Sequence, residues 1–559
     1  MITRESVAAP IDGRHLESHG WRCRFYYDGD QLRVSMQDRL GLTEMLKTDS
    51  DGPVQRGLPL DRPVVMSTGS HHMQLYWIAV DSVLFEVPFY YRIADQMWVP
   101  KEDTFLRAPA ESTLPEIWNG NCIECHSVAG QPRGQVSEGD FDTQVAEVGI
   151  ACEACHGPAE AHVRFYSAAA KIGGSMTNAP ENTIVNPARC APEVATHICA
   201  HCHSHSLHHD PAAFAAEGSQ FRPGNTLDQT RVVSYFDDAV VDHHQAQTGG
   251  RSLKSLSDEA RTAREQYLHD GYWPDGTTRV GGDEFLGLVV SKCYTDGDLS
   301  CLSCHSMHQS DPNDQLASGM ETDQACLQCH TEFKNSISSH THHPAGSGGS
   351  RCYNCHMPHT TYALLTAMRS HRIDSPQAAP ASGGGRPNAC NLCHLDKTLQ
   401  WTSDRLTEWY GTPLSTDLDE HDHQVAASVL WLLKGNIAQR AVSAWHMGWE
   451  PAHAASGNRW QAAFLARTLN DPVSAVRYVA GRAIGRLPGF ENFKYSFVAD
   501  ESQRAQAERT AVDLWMQQHD TDPPSGDPTL LIGSGGRVDE ERVRELISRQ
   551  DTTLTNLPE

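Results

Sequence analysis

Seven times the chain sets two cysteines three positions apart and follows the second with a histidine. The copies are Cys122-Ile-Glu-Cys125-His126, Cys152-Glu-Ala-Cys155-His156, Cys199-Ala-His-Cys202-His203, Cys301-Leu-Ser-Cys304-His305, Cys326-Leu-Gln-Cys329-His330, Cys352-Tyr-Asn-Cys355-His356 and Cys390-Asn-Leu-Cys393-His394. Two thiols at this spacing reach the two vinyl groups on one edge of a haem. The next imidazole then lies under the ring and takes the iron from one face. The expected cofactors are seven covalently bound c-type haems. The fourteen cysteines form the attachments, and His126, His156, His203, His305, His330, His356 and His394 are the proximal iron ligands. Zinc ribbons also use Cys-x-x-Cys pairs, yet they need no histidine after the second cysteine, and here every pair has one. A redox dithiol uses the pair once, near a βαβ pattern.

Iron held by one histidine has a second face to fill, so spare histidines are candidate distal ligands. His71 and His72 precede an alternating Val-, Phe-, Tyr- and Trp-rich stretch, and His72 is taken as a candidate. His162 follows the second motif by six residues, too near to swing round the same iron and better placed for a neighbouring one. His308 follows the fourth motif, His359 the sixth, and His371 lies in Arg-Ser-His-Arg. His340, His342 and His343 share the stretch Ser-His-Thr-His-His-Pro.

The elements that must hold these residues are sparse. Hydrophobic content is 39% over 559 residues, low for a chain of this length. Porphyrin plates would supply the missing apolar core. Residues 122–394 are therefore expected to be poor in regular structure and to fold only with their cofactors. Ahead of them, residues 1–110 form a small β-rich N-terminal region, with residues 1–60 polar and mixed and two or three short strands over Leu75–Val99. The haem domain spans 111–400, in groups at 115–210 and 295–400, because 97 residues separate His203 from Cys301. Within that gap, Ser255–His269 reads as an amphipathic helix and Glu284–Val290 as a short buried strand or helix. The last four motifs start 25, 26 and 38 residues apart, room for little more than a loop and a helix. From Trp401 helical periodicity takes over, and two helical pairs, 421–448 and 456–487, suggest a HEAT-like domain over 401–500, with a plain helical bundle as the alternative. The tail is 501–559, loose over 520–536, with a charged helix at Val538–Arg549. The fold class expected is mainly α, with extensive irregular structure organised around haems.

A formal net charge of −25 argues against nucleic acid or an anionic membrane surface as partner and suits redox partner proteins. Cys23, Cys190 and Cys293 lie outside the motifs and receive no catalytic role. Haem is attached outside the cytoplasm, so a periplasmic or extracellular protein is expected, although residues 1–20 lack the apolar run of a signal peptide. No stretch is long and apolar enough for a membrane span. An oligomer or filament is compatible with all of this.

The haem segment resembles the multihaem cytochromes c related to the tetrahaem cytochrome of ammonia oxidisers and, more distantly, to hydroxylamine oxidoreductase and pentahaem nitrite reductase. The likeness rests on Gly149-Ile-Ala-Cys152-Glu-Ala-Cys155-His156-Gly-Pro with His162, on Leu299-Ser-Cys301-Leu-Ser-Cys304-His305-Ser-Met-His308, and on Cys355-His356-Met-Pro-His359 with His371. It implies distal roles for His162, His308, His359 and His371, and for one of His342 and His343. There is no Cys-x-x-Cys-Lys, so the lysine-ligated haem of the nitrite reductases has no counterpart. Electron transfer through mostly bis-His haems is the leading expectation. The alternative is an oxidoreductase with one open-coordination haem acting on a small nitrogen or sulfur compound. A third reading makes the helical tail a scaffold that docks a partner enzyme.

Overall fold

The computed structural model describes residues 2–38, 59–104, 106, 115–135, 140–172, 183–248, 253, 256–279, 281–308, 314–363, 365–380, 384–520 and 526–553. The chain divides into two compact units. The first comprises Met1–Lys101, Ser112–Glu265 and Asp296–Ala317, and the second Glu102–Glu111, Gln266–Thr295 and Ser318–Glu559. Motif four thus lies with motifs one to three, whereas sequence spacing grouped it with five to seven. Among the described residues no helix is long and apolar enough to cross a membrane.

The first unit opens with eight antiparallel strands: β1 His15–Ser18, β2 Trp21–Asp28, β3 Gln31–Asp38, β4 Leu60–Thr68, β5 Met73–Val80, β6 Val83–Glu86, β7 Phe89–Arg92 and β8 Met97–Pro100. They pair in the order β1-β2-β3-β4-β5-β7-β8, with β6 on β5, and curl into a near-closed barrel. This corrects the expectation of a small β region in an otherwise helical fold: the strands begin at residue 15, inside the stretch read as polar and mixed. In β2 the residues alternate, Trp21, Cys23 and Phe25 inward and Arg22 and Arg24 outward, as a half-buried strand requires. The interior is aromatic, with Phe25 and Trp98 stacked at 4.6 Å beside Tyr76 and Tyr91.

The outer face of β5 anchors the first motif. Trp77 packs with Trp118 and with Ile123, the residue between Cys122 and Glu124. Ser127 Oγ donates to the Ile123 carbonyl at 2.6 Å. A Cβ at Gly130 would lie 2.3 Å from Ser127 Oγ and 2.6 Å from Ile123 Cγ1, so only glycine lets the chain close over this turn.

Motif-bearing segments of both units are short helices and turns, as the composition led one to expect. Cys152–His156, Cys352–His356 and Ala389–Cys393 are five-residue helices, and Cys122–Glu124 and Cys301–Ser303 are single 3-10 turns. The intervening helices fall at Asp258–Gly271 and Glu284–Leu288.

The second unit ends in a helical layer. Leu399–Tyr410 is capped by Thr398 at its start and by Gly411 in the left-handed region at its end, the usual polar and glycine stops. Ala427–Lys434 and Ile437–His446 form one antiparallel pair, Gln461–Thr468 and Ser474–Ile484 a second, and the pairs stack element on element. Asn436 and Gln439 close a reciprocal capping box between the first two. The tail is more ordered than its composition suggested. Glu501–Asp520 is a helix packed on Gln461–Thr468, and Leu530–Ile532 are buried. Residues 521–525 of the stretch read as loose lie outside the described residues. The last helix is Glu540–Ser548.

Candidate functional site

A haem iron with two axial imidazoles needs their nitrogens facing each other, each about 2 Å from the metal, so the ring centres fall about 6 Å apart. Among the described residues, histidine pairs with that separation occur. His156 and His308 are 6.1 Å apart with planes at 10°. His340 and His356 are 6.2 Å apart at 9°, and His343 and His394 are 5.8 Å apart at 31°. Each pair joins the histidine of a motif to one from elsewhere in the chain.

The tautomers suit a metal. His156 Nδ1 lies 2.7 Å from the Val185 carbonyl, His305 Nδ1 3.1 Å from that of Asp314, and His356 Nδ1 2.8 Å from that of Asp374. A carbonyl only accepts, so each Nδ1 carries the proton and each Nε2 offers its lone pair to iron. This is the outer partner that orients a ligating imidazole. His343 Nδ1 is held likewise, 2.6 Å from the Thr341 carbonyl.

No disulfide ties up any of the seventeen cysteines. Burial pushes the thiols of Cys122, Cys390 and Cys393 up to about 12. Among the described residues no group of three His, Cys, Asp or Glu side chains converges as a tetrahedral site would require. Paired thiols, oriented proximal imidazoles and facing histidines together fit haem.

The remaining sequence candidates fall in varied surroundings. His72 is lowered by burial and by the Arg92 charge. His162 Nδ1 bonds Thr183 Oγ1 at 2.9 Å and its ring lies 4.4 Å from Tyr166. His342 stacks on Trp409 at 4.4 Å. His359 is buried among Trp445, His446 and Trp449. His371 Nδ1 lies 3.3 Å from the Arg369 carbonyl. The histidine facing His356 is His340, a residue sequence reasoning noted without assigning a ligand role. Its signal was the cluster it shares with His342 and His343.

Polar clamps fix the motif turns. Arg369 donates to the carbonyls of Tyr353 and Met357 at 3.1 and 3.0 Å and to Asn354 Oδ1 at 2.8 Å, bracing motif six. Asp323, just ahead of motif five, accepts the Cys352 backbone N–H at 2.9 Å. Near motif three, burial pushes the Asp228 carboxyl up to about 7 from 3.8. A raised carboxyl pKa means the folded state holds the proton more tightly than the unfolded one. Stability is then full below pH 4 and falls as pH rises toward 7, by up to about 4 kcal/mol. Asp228→Asn is expected to remove this slope, seen as urea midpoints of variant and wild type that diverge between pH 4 and 7; parallel pH profiles would refute it.

Residues 293–335 match the family described as doubled CXXCH motif. A stretch of 104 residues is 30% identical to the multiheme cytochrome MtrA of Shewanella baltica (strain OS185), covering 19% of this chain and 26% of that protein. The likeness thus spans about a quarter of that relative's length. No solved structure matches. With its repeated paired thiols and these two likenesses, the chain is a multihaem c-type cytochrome that holds haem covalently through its Cys-x-x-Cys-His motifs.

Proposed function

We propose that this protein carries electrons outside the cytoplasm through seven closely spaced haems, most of them bis-His. Haem iron supplies one-electron chemistry, cycling between ferric and ferrous states at a potential set by its axial ligands and surroundings. The chain's part is to hold the rings, fill both faces of each iron and set the local field. The observation that carries the reading is the facing of His156 and His308 at 6.1 Å with planes at 10°. A site filled on both faces passes electrons and takes no substrate.

On this reading His308 is the distal ligand at motif two, His340 at motif six and His343 at motif seven. His340 and His343 lie three residues apart, so one short segment would ligate two neighbouring irons and keep them close. The net charge of −25 favours basic or neutral redox proteins as partners. The stacked helical pairs after residue 426 are HEAT-like in arrangement and offer a docking layer for such a partner.

The test is mass spectrometry joined to electron paramagnetic resonance of the protein matured in its native host. Seven added haems and an all-low-spin ferric spectrum are the expected result. A mass lacking haem ends the reading. A dominant high-spin signal replaces it with the open-site oxidoreductase.

A further inference from the structure

The Arg231 side chain lies between two motifs and is 3% exposed. Its Nη2 donates to Glu124 Oε1, inside motif one. The same nitrogen lies 2.9 Å from His201 Nδ1, inside motif three, and 2.8 Å from Ser219 Oγ. Nη1 reaches the His201 carbonyl at 3.4 Å. The other oxygen of Glu124 takes His208 Nε2 at 3.1 Å, on the strand that pairs with Arg231. A guanidinium fork binds several acceptors at fixed angles, which a lysine cannot reproduce. The two motif turns are thus locked to one rigid group.

The thiols show how close that lock brings them. Cys125 of motif one and Cys202 of motif three lie beside each other. At the other thiol of motif three, Cys199 lies beside Cys301 of motif four, and the Pro192–Ala200 helix packs on the Cys301–Ser303 turn. Both attachment points of motif three therefore border another motif.

Building on the electron-carrier reading, we infer that the haem of motif three is the junction between those of motifs one and four, and that Arg231 is the positioning residue holding motifs one and three edge to edge. One electron leaves ferrous iron at one of these motifs, which becomes ferric, and reduces ferric iron at the next. No proton or bond changes hands, and redox proteins outside supply and remove the electron.

The test uses the full-length matured protein. His203→Met marks the motif-three step in a redox titration by shifting it, and the steps of motifs one and four are expected to shift with it. Arg231→Gln is expected to retain all haems by mass but to lose the magnetic interaction between motifs one and three and the linked shift. Arg231→Lys, which keeps charge without the fork, is expected to lose most of it too. Arg33→Gln, on β3 with its carboxylate partner Asp61 on β4 of the barrel, serves as control and should leave the titration unchanged. A fully loaded Arg231→Gln protein with wild-type titration and resonance spectra overturns the inference while leaving the carrier reading intact. If that variant does not accumulate, wild-type protein whose motif-three haem titrates independently of its neighbours overturns it equally. A mass lacking haem at these motifs removes both.

Discussion

Replacing His308 with alanine should leave every haem attached and convert one of them from six- to five-coordinate. The residue sits on an exposed turn held by Ser306, whose hydroxyl donates to the His308 carbonyl at 2.8 Å and accepts its N–H at 3.3 Å. Those bonds are to the backbone and survive the substitution. The effect therefore falls on the iron facing His156. Low-temperature electron paramagnetic resonance should show one haem equivalent of high-spin ferric signal absent from wild type, and the reduced protein should gain one carbon monoxide site. The potential of that haem should also rise, because bis-His ligation is the low-potential arrangement. An unchanged low-spin spectrum would break the pairing of His156 with His308. Two companions sharpen the test. His342→Ala should leave all spin states as they were, since that ring stacks on Trp409. His359→Ala should behave likewise in spin state but weaken the helical layer, since its ring fills a pocket between Trp445 and Trp449.

The sequence announced the chemistry far better than the scaffold. Attachment motifs are legible because the two thiols and the proximal imidazole must be contiguous to serve one ring, so spacing alone carries the message. Distal ligands obey no such rule. His308 meets His156 only because motifs two and four fold into the same unit, and nothing near either residue says so. Local spacing also fails inside Ser-His-Thr-His-His-Pro. His342 has φ +57°, a left-handed turn that sends its ring toward Trp409 while His340 and His343 face motif histidines. The barrel strands are partly legible. Trp21-Arg-Cys-Arg-Phe alternates with a period of two and ends at an Asp-Gly turn, a hairpin signal. The many charged residues are its solvent face and read as mere polarity. The helical character of residues 401–500 is legible, because an apolar stripe at helical spacing needs no partner to be seen. Arg231 and Arg369 could not be singled out, since a buried clamp differs from a surface arginine only in what the fold places around it.

The largest effect on stability is expected at the pair that ties the two stacked helical layers. Arg440 Nε lies 2.8 Å from Asp471 Oδ2 and Nη2 lies 3.2 Å from Oδ1, and both side chains are 2% exposed. Asp471 Oδ1 also accepts the Val473 backbone N–H at 2.8 Å, and Arg440 Nη1 donates to the Gly435 carbonyl at 2.9 Å. Arg440 Nη1 also lies 3.4 Å from the Asp551 carbonyl. Asp471→Ala would strand a guanidinium that is 2% exposed. Removing one member of a buried ion pair costs about 3–5 kcal/mol, because the survivor keeps its desolvation penalty and loses its compensation. Removing both with apolar residues of similar size leaves no stranded charge and should cost much less. The ordering, with Asp471→Ala well below the Arg440→Met/Asp471→Leu double variant and the double variant near wild type, is the signature. It is read from chemical unfolding followed by far-ultraviolet circular dichroism. A single variant within about 1 kcal/mol of wild type would mean that water reaches the pair, and the tie between the two helical layers would then rest on their apolar faces alone.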